Sequence, residues 1–140
     1  MKPRAFIVHG HDESSKLQLK NFLQNRLHFD EPLILSELPS RGRTIIEKFE
    51  EHAKRADIAF ALLTPDDFAA SAGSGRARQN VVFELGYFLG ILGRKTGRVF
   101  VLKKGDVEIP SDLQGVVYID ITHGIEAAAE RIRSEIEALP

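Results

Sequence analysis

The sequence predicts an α/β fold, a flavodoxin-like five-stranded parallel sheet of strand order 2-1-3-4-5 with helices on both faces. Short apolar runs alternate with segments of helical periodicity almost throughout the chain. The run DIAFALLT (residues 57–64) has no polar alternation, as expected for a strand covered on both faces. The length of 140 residues suits one ordinary domain, so we expect residues 1–140 to form a single domain.

The first half of the chain contains three predicted strands and two predicted helices. The strands are the apolar runs at residues 5–10, 32–37 and 57–64. The first helix follows Asp12, a predicted N-cap, and its apolar positions are Leu19, Phe22, Leu23 and Leu27. The core face of the second helix is predicted to carry Ile45, Ile46, Phe49, Ala53 and Ala56. The loop LPSRGR (residues 38–43) leads into that helix.

The second half begins with a turn-rich segment at residues 65–78, followed by the most apolar helix of the chain, QNVVFELGYFLGIL (residues 79–92). Residues 98–102 and 116–121 are the fourth and fifth predicted strands, and their connection lacks a clear helix. The last helix has its predicted core face at Ile125, Ala128, Ala129, Ile132, Ile136 and Leu139.

Composition and charge exclude several classes of function. The formal net charge is −1, which gives no general argument for a nucleic-acid partner or an anionic membrane surface. The absence of cysteine excludes disulfides, thiolate metal sites and a cysteine nucleophile. Apolar runs are too short to span a bilayer, and the N-terminus does not resemble a signal peptide, so we expect a cytoplasmic protein with no membrane contact.

The fold predicts where a ligand would bind. In such sheets, ligands lie outside the carboxyl ends of the strands, where the winding direction reverses. Here this point lies between the first strand, which ends at residues 9–12, and the third, which ends at residues 64–67. The basic residues Arg41 and Arg43, in the loop after the second strand, are expected at the same edge.

Glu84 is a carboxylate in the middle of the most apolar helix. Its neighbours one turn away, Asn80, Val81, Tyr87 and Phe88, are mostly apolar. Burying the ionised form without a partner would cost several kcal/mol and would raise its pKa. The sequence leaves two interpretations open: a structural ion pair with a basic residue, or a pocket in which a ligand completes the hydrogen bonds of the carboxylate.

Other polar residues allow weaker interpretations. His9 and His11 are separated by one residue, but no third ligand accompanies them, so we predict no metal site. The stretch AGSGRAR (residues 72–78) resembles a phosphate cradle but lacks the Gly-Lys-Ser/Thr ending, so a flexible loop is favoured. Thr64 occupies the place of the aspartate that a phosphorelay receiver domain would need, which argues against that function.

Three stretches, FIVHGHD (6–12), RQNVVFELGYFLGILGR (78–94) and EIPSDLQGVVYIDI (108–121), resemble a bacterial TIR-like domain first described as a predicted nucleotide-binding domain. Such domains are effectors of cyclic-nucleotide anti-phage systems, fused to a STING-like sensor or another cyclic-nucleotide receptor. The resemblance implies NAD⁺ glycohydrolysis at the nicotinamide–ribose bond, with Glu84 as the catalytic acid. It also implies self-association through TIR–TIR contacts, a cyclic-nucleotide sensor domain in cis, and a counterpart of the TIR "BB loop" at residues 38–43.

The resemblance implies NAD⁺ as substrate and no separate cofactor. Animal-type TIR enzymes often carry a tryptophan where this chain has Asn80, so base stacking would fall to Phe6, Phe83, Tyr87 or another ring. We place the pyrophosphate near Gly10–Asp12 with Arg43 and Arg78, and Thr64 and Asp67 on the nicotinamide-ribose side. The full predicted substrate-binding set is His9, Gly10, Asp12, Arg43, Thr64, Asp67, Arg78 and Asn80.

Two other functions remain open at this stage. A nucleoside deoxyribosyltransferase-like enzyme would use the same fold, a glutamate and a ribosyl cation. A TIR module without catalytic activity would only assemble with other TIR domains.

Overall fold

The computed structural model describes residues 2–65, 75–76, 78–93, 97–108, 111–113 and 118–139, with only the backbone at 75–76. Its centre is a parallel sheet in which neighbouring strands follow the order β1-β2-β4-β6. These strands are β1 (Ala5–Val8), β2 (Ile58–Leu63), β4 (Val99–Lys103) and β6 (Tyr118–Asp120). Two short strands, β3 (Gly75–Arg76) and β5 (Val107–Glu108), form a separate parallel pair that the sequence did not predict.

Helices cover both faces of the sheet, as predicted. They are α1 (Glu13–Asn21), α2 (Ile45–Ala53), α3 (Gln79–Leu92) and α4 (Ala129–Glu137). One apolar core packs α1 and α4 against one face, and a second packs α2 and α3 against the other. Within the described residues, no helix has the length and apolar character needed to cross a membrane.

The predicted second strand, residues 32–37, is mostly wrong. Only Leu33 pairs with β1: its N–H donates to the Ala5 carbonyl at 2.7 Å, and its carbonyl accepts from the Ile7 N–H at 2.9 Å. Pro32 has no N–H to offer a ladder, and the chain turns into a 3₁₀ helix at Leu35–Glu37. The segment still lies beside β1, so the predicted parallel order is retained with its outer strand reduced to one bridge.

The carboxyl ends of the strands place polar side chains at one edge of the sheet. All four central strands are parallel, so their carboxyl ends lie together. The loop 9–12 leaves β1 there, and α3 begins nearby, as the contact of its first turn with that loop shows. The predicted fifth strand starts at residue 116, but residues 116–117 lie outside the described part of the chain.

Candidate active site

A cavity of about 280 Å³ opens beside the carboxyl end of β1, between α2 and the first turns of α3. Its walls come from segments far apart in the sequence, so it forms only when the sheet and helices pack together. The lining residues are Ile7, His9, Gly10, Leu35, Ser36, Ile45, Lys48, Arg78, Asn80 and Glu84. The sequence-predicted residues Glu84, His9, Gly10, Arg78 and Asn80 are all in this set.

The packing of α3 places Glu84 at the cavity. This helix buries an apolar face against the sheet through Val81, Leu85, Phe88 and Leu89. Glu84 lies next to that face, and only 8% of its surface is exposed. The helix therefore anchors itself by its apolar residues while it holds a carboxylate at the boundary between core and cavity.

The carboxylate of Glu84 has one hydrogen-bond partner among the described residues. Asn80 Nδ2 donates to Oε2 at 3.3 Å, and no basic group of the described chain lies within ion-pair distance. Burial raises the pKa of Glu84 and the Asn80 hydrogen bond offsets only part of that rise, so that the pKa is about 7 in place of 4.5. The described contacts therefore favour the pocket interpretation over the structural ion pair.

The loop after β1 packs against the first turn of α3. A Cβ at Gly10 would lie 3.6 Å from Cβ of Arg78 and 3.7 Å from Cγ2 of Val81, so the two backbones run close together. Arg78 Nη1 lies 2.6 Å from His11 Nε2, and His9 Nδ1 lies 2.9 Å from the Gly10 carbonyl. These contacts bring His9 and Gly10 into the lining of the cavity.

Asp12 does not line the cavity. Its Oδ1 accepts the N–H of Ser15 at 3.0 Å, which caps α1, and its Oδ2 accepts from Lys104 Nζ at 2.8 Å and from Ser15 Oγ at 2.9 Å. Burial raises the pKa of Asp12, but the hydrogen bonds from Lys104 and Ser15 outweigh it and hold the pKa below its usual value. The predicted N-cap is confirmed, and the side chain is engaged within the fold.

The other predicted substrate-binding residues lie elsewhere. Arg43 forms an ion pair with Glu51 on α2 and is not part of the lining. Thr64 follows β2, but it is buried and does not reach the cavity. Asp67 lies outside the described residues.

The aromatic residues proposed for base stacking do not line the cavity. Phe6 is fully buried against Phe49 and Phe88, with ring centroids 5.5 Å and 5.0 Å away, so it cannot stack on a ligand. Tyr87 packs on Phe49 at 5.0 Å, and Phe83 lies on the surface of α3. The apolar walls come instead from Ile7, Leu35 and Ile45.

The placement of Ile45 and Ile46 in the core is wrong. Ile45 is 77% exposed and lines the cavity, whereas the buried residues of α2 are Phe49, His52 and Ala53. Sequence reasoning also missed Lys48, which lies three residues after Ile45 and so shares its side of the helix. The helical spacing would have indicated Lys48 if Ile45 had been placed at the cavity.

Potential metal ligands do not converge in the described part of the chain. No group of three or more histidine and carboxylate side chains there has an arrangement that could hold an ion. His9 Nδ1 instead faces the neighbouring Gly10 carbonyl, and His11 Nε2 faces the Arg78 guanidinium.

Comparison with known proteins gives a family match over most of the chain. The family model described as "CAP12/Pycsar effector protein, TIR domain" matches residues 4–123. The matched segment contains β1, the three helices α1, α2 and α3, and every residue that lines the cavity.

Three relatives illustrate the range of similarity. The uncharacterized protein YuaY of Escherichia coli K12 is 50% identical over 126 residues, which are 86% of this chain and 41% of YuaY. The Pycsar effector protein PaPycTIR of Pseudomonas aeruginosa is 42% identical over 53% of this chain and 25% of its own length. CD-NTase-associated protein 12 of Sphingobacterium faecium is 26% identical over 97% of this chain and 43% of its own length. The matches thus span less than half the length of each of these relatives.

Proposed function

We propose that this chain, which belongs to the CAP12/Pycsar effector TIR domain family, hydrolyses NAD⁺ at the nicotinamide–ribose bond. The observation that carries the proposal is the buried carboxylate of Glu84, which lines a cavity and has no cationic partner among the described residues. Water replaces nicotinamide at the anomeric carbon, so the products are nicotinamide, ADP-ribose and a proton. A cyclic product would form if a nitrogen of the adenine attacked in place of water.

The chemistry needs an anion more than an acid. Nicotinamide leaves as a neutral molecule, so the leaving group needs no protonation. The ribose left behind carries the positive charge of an oxocarbenium-like transition state, which a carboxylate beside it stabilises. The ionised Glu84 would hydrogen-bond the ribose hydroxyls and face the developing charge.

The surroundings of Glu84 suit this role. The buried Ile7 and the half-buried Leu35 line the cavity with Glu84, and this apolar surface strengthens the attraction between the carboxylate and a cation. The pKa of about 7 in the free protein means that the acid is only partly ionised near neutral pH. The positively charged nicotinamide ring of NAD⁺ favours the ionised form on binding.

The family and the names of the relatives support a role in anti-phage defence. One relative is named a Pycsar effector and another is named CD-NTase-associated. These two names support a link to cyclic-nucleotide signalling. The proposal includes a cyclic-nucleotide sensor domain in cis. Exposed Ile45, Ile46 and Phe83 provide apolar surface beside the cavity for self-association, which we propose as the activating event.

A second candidate is a nucleoside deoxyribosyltransferase-like reaction. The cavity of about 280 Å³ is slightly smaller than typical ligand pockets and would suit a nucleoside. That enzyme would exchange bases on deoxynucleosides, whereas the proposed enzyme releases nicotinamide from NAD⁺. Incubation with each substrate and chromatography of the products separates the two reactions.

The test of the proposed function compares the parent with Glu84→Gln. Each protein is fused to an oligomerising scaffold, and nicotinamide release is followed by chromatography. We expect Glu84→Gln to lower kcat by about 10²-fold or more, because it removes the charge that faces the cation. Glu137→Gln, an exposed glutamate at the end of α4, is the matched control. Retained turnover in Glu84→Gln would remove Glu84 from the catalytic role.

A further inference from the structure

Lys48 is a cationic side chain in the same cavity as Glu84. It lies on α2, whereas Glu84 lies on α3, and it is partly exposed. Its backbone N–H donates to the Thr44 carbonyl at 2.9 Å, which is an ordinary helical bond. No carboxylate of the described chain lies within ion-pair distance of its ammonium group.

Glu51 is the one acidic residue of α2 that lies a helical turn from Lys48, and it is engaged elsewhere. Glu51, three residues further along α2, pairs with Arg43. Glu47 completes a capping box: its Oε1 accepts the Thr44 N–H at 3.1 Å, and the Thr44 hydroxyl accepts the Glu47 N–H at 3.1 Å. Glu51 is therefore occupied, and Lys48 lines the cavity without an ion pair to any carboxylate of the described residues.

The ammonium group of Lys48 does not act as a partner for Glu84. Burial and the Asn80 hydrogen bond account for the pKa of Glu84, and no charged side chain among the described residues adds to them. A lysine in contact with that carboxylate would lower the pKa instead. The carboxylate of Glu84 and the ammonium group of Lys48 are thus separated within one cavity lining, as a substrate with opposite charges at two positions would require.

We propose that Lys48 binds the phosphate attached to the nicotinamide ribose and thereby selects 5′-phosphorylated substrates over free nucleosides. This inference rests on the proposed NAD⁺ hydrolysis. When the ribose lies against Glu84, the phosphate on its 5′ carbon is the nearest anion of the substrate. A lysine ammonium is a compact charge on a flexible stem, which suits an oxyanion whose orientation varies.

The sequence predicted that Arg43 and Arg78 bind the pyrophosphate, and the structure supports only one of these two residues as a lining residue. Arg43 is held by Glu51 outside the lining, whereas Arg78 lines the cavity and lies 2.6 Å from His11 Nε2. Lys48 and Arg78 therefore supply positive charge to the cavity from α2 and from the N-cap of α3.

The test uses two substrates that share the same scissile bond. NAD⁺ carries the 5′ phosphate, and nicotinamide riboside lacks it. For Lys48→Gln, we expect kcat/KM for NAD⁺ to fall about tenfold or more, as on loss of a hydrogen bond to a charged group, and kcat/KM for the riboside to change less than about twofold. Lys54→Gln, at the exposed C-cap of α2, should leave both values unchanged, and Lys48→Arg should recover most of the NAD⁺ value.

Failure of this inference differs from failure of the proposed function. If the parent cleaves both substrates and Lys48→Gln lowers both equally, or neither, the phosphate role is overturned while hydrolysis stands. If the parent cleaves neither, the proposed function fails. Calorimetric binding to the Glu84→Gln protein then still tests Lys48, because adding Lys48→Gln should weaken binding of NAD⁺ about tenfold and leave riboside binding unchanged. Equal affinities for NAD⁺ with and without Lys48 would overturn the inference.

Discussion

Asn80 Nδ2 donates a hydrogen bond of 3.3 Å to Glu84 Oε2, one helical turn further along α3. The amide favours the ionised carboxylate but carries no charge, so it steadies the group without neutralising it. Burial has the larger effect and sets the pKa of Glu84 at about 7. Glu84 is thus a cavity-lining acid whose charge changes near neutral pH.

The activity should therefore depend on pH through Glu84. Only the ionised carboxylate stabilises a ribosyl cation, so kcat/KM for NAD⁺ should rise with pH through a limb centred near 7. Asn80→Leu removes the donor that favours ionisation, and the limb should move to higher pH by up to about one pH unit. Steady-state rates between pH 5.5 and 9 measure this.

Gln79→Leu is the matched control for that profile. Gln79 is an exposed neighbour at the start of α3 and does not line the cavity, so its substitution should leave the limb in place. A limb at the same pH in Asn80→Leu and the parent would contradict the assignment of the titration to Glu84.

Glu84→Gln should make the folded chain more stable above neutral pH. The folded-state pKa is raised from the unfolded-state value of 4.5 to about 7, so the folded chain favours the protonated carboxyl group. The contribution of this protonation to the free energy of unfolding is complete below pH 4.5. That contribution is lost as the pH rises through 7. At about 1.4 kcal/mol per pH unit, the loss reaches up to about 3 kcal/mol at pH 8.

Glutamine has the same shape and stays neutral, so Glu84→Gln should raise the free energy of unfolding at pH 8 by up to about 3 kcal/mol. The gain should shrink towards zero as the pH falls to 4.5. Urea denaturation at several pH values measures it, with the exposed Glu137→Gln as control. Equal stabilities of Glu84→Gln and the parent at pH 8 would mean that the carboxylate is not desolvated.

Much of the fold was predictable because its signals are local. The apolar runs that form β1, β2 and β4 are bounded by polar residues, and the most apolar helix is α3 with the predicted bounds. The prediction of a strand at residues 32–37 was mostly wrong, because a short apolar run looks the same in sequence whether it forms one β-bridge or a full ladder of hydrogen bonds.

The candidate site was partly predictable for a topological reason. The rule that ligands lie at the carboxyl ends of parallel strands brought His9, Gly10, Asn80 and Glu84 to one edge of the sheet. Lys48 was not predicted, since its place in the cavity lining depends on the rotation of α2 about its own axis. Periodicity alone does not fix that rotation, because Ile45 fits an apolar stripe equally well in a core or at a cavity wall.

Two substitutions at Asp12 separate its structural role from substrate binding. Asparagine caps helices as well as aspartate does, whereas alanine cannot accept the Ser15 N–H bond. Asp12→Ala should lower the free energy of unfolding by about 1–2 kcal/mol at pH 7. Asp12→Asn keeps the Ser15 N–H bond but replaces the Oδ2 that accepts from Lys104 and from the Ser15 hydroxyl, so it should cost less than Asp12→Ala.

The pH dependence and the activity of the Asp12 variants provide further checks. The lowered pKa means that the ionised Asp12 stabilises the fold above its unfolded-state value of 3.8, and this stabilisation is lost as the pH falls through the still lower folded-state pKa. The deficit of Asp12→Asn should therefore narrow as the pH falls below 3.8. Its kcat/KM for NAD⁺ should stay within about twofold of the parent; a loss of tenfold or more would place Asp12 on the substrate.

Arg43 should influence NAD⁺ turnover only through Glu51 and Lys48. In Arg43→Gln, Glu51 loses its partner and becomes free to pair with Lys48 three residues before it on α2. A pair at that spacing is worth about 0.2–0.5 kcal/mol, so kcat/KM for NAD⁺ should fall only about twofold. The double variant Arg43→Gln/Glu51→Gln should regain the parent value, because it removes the competing carboxylate as well. If Arg43 itself binds the pyrophosphate, both variants should lose about tenfold or more, and the second substitution should restore nothing.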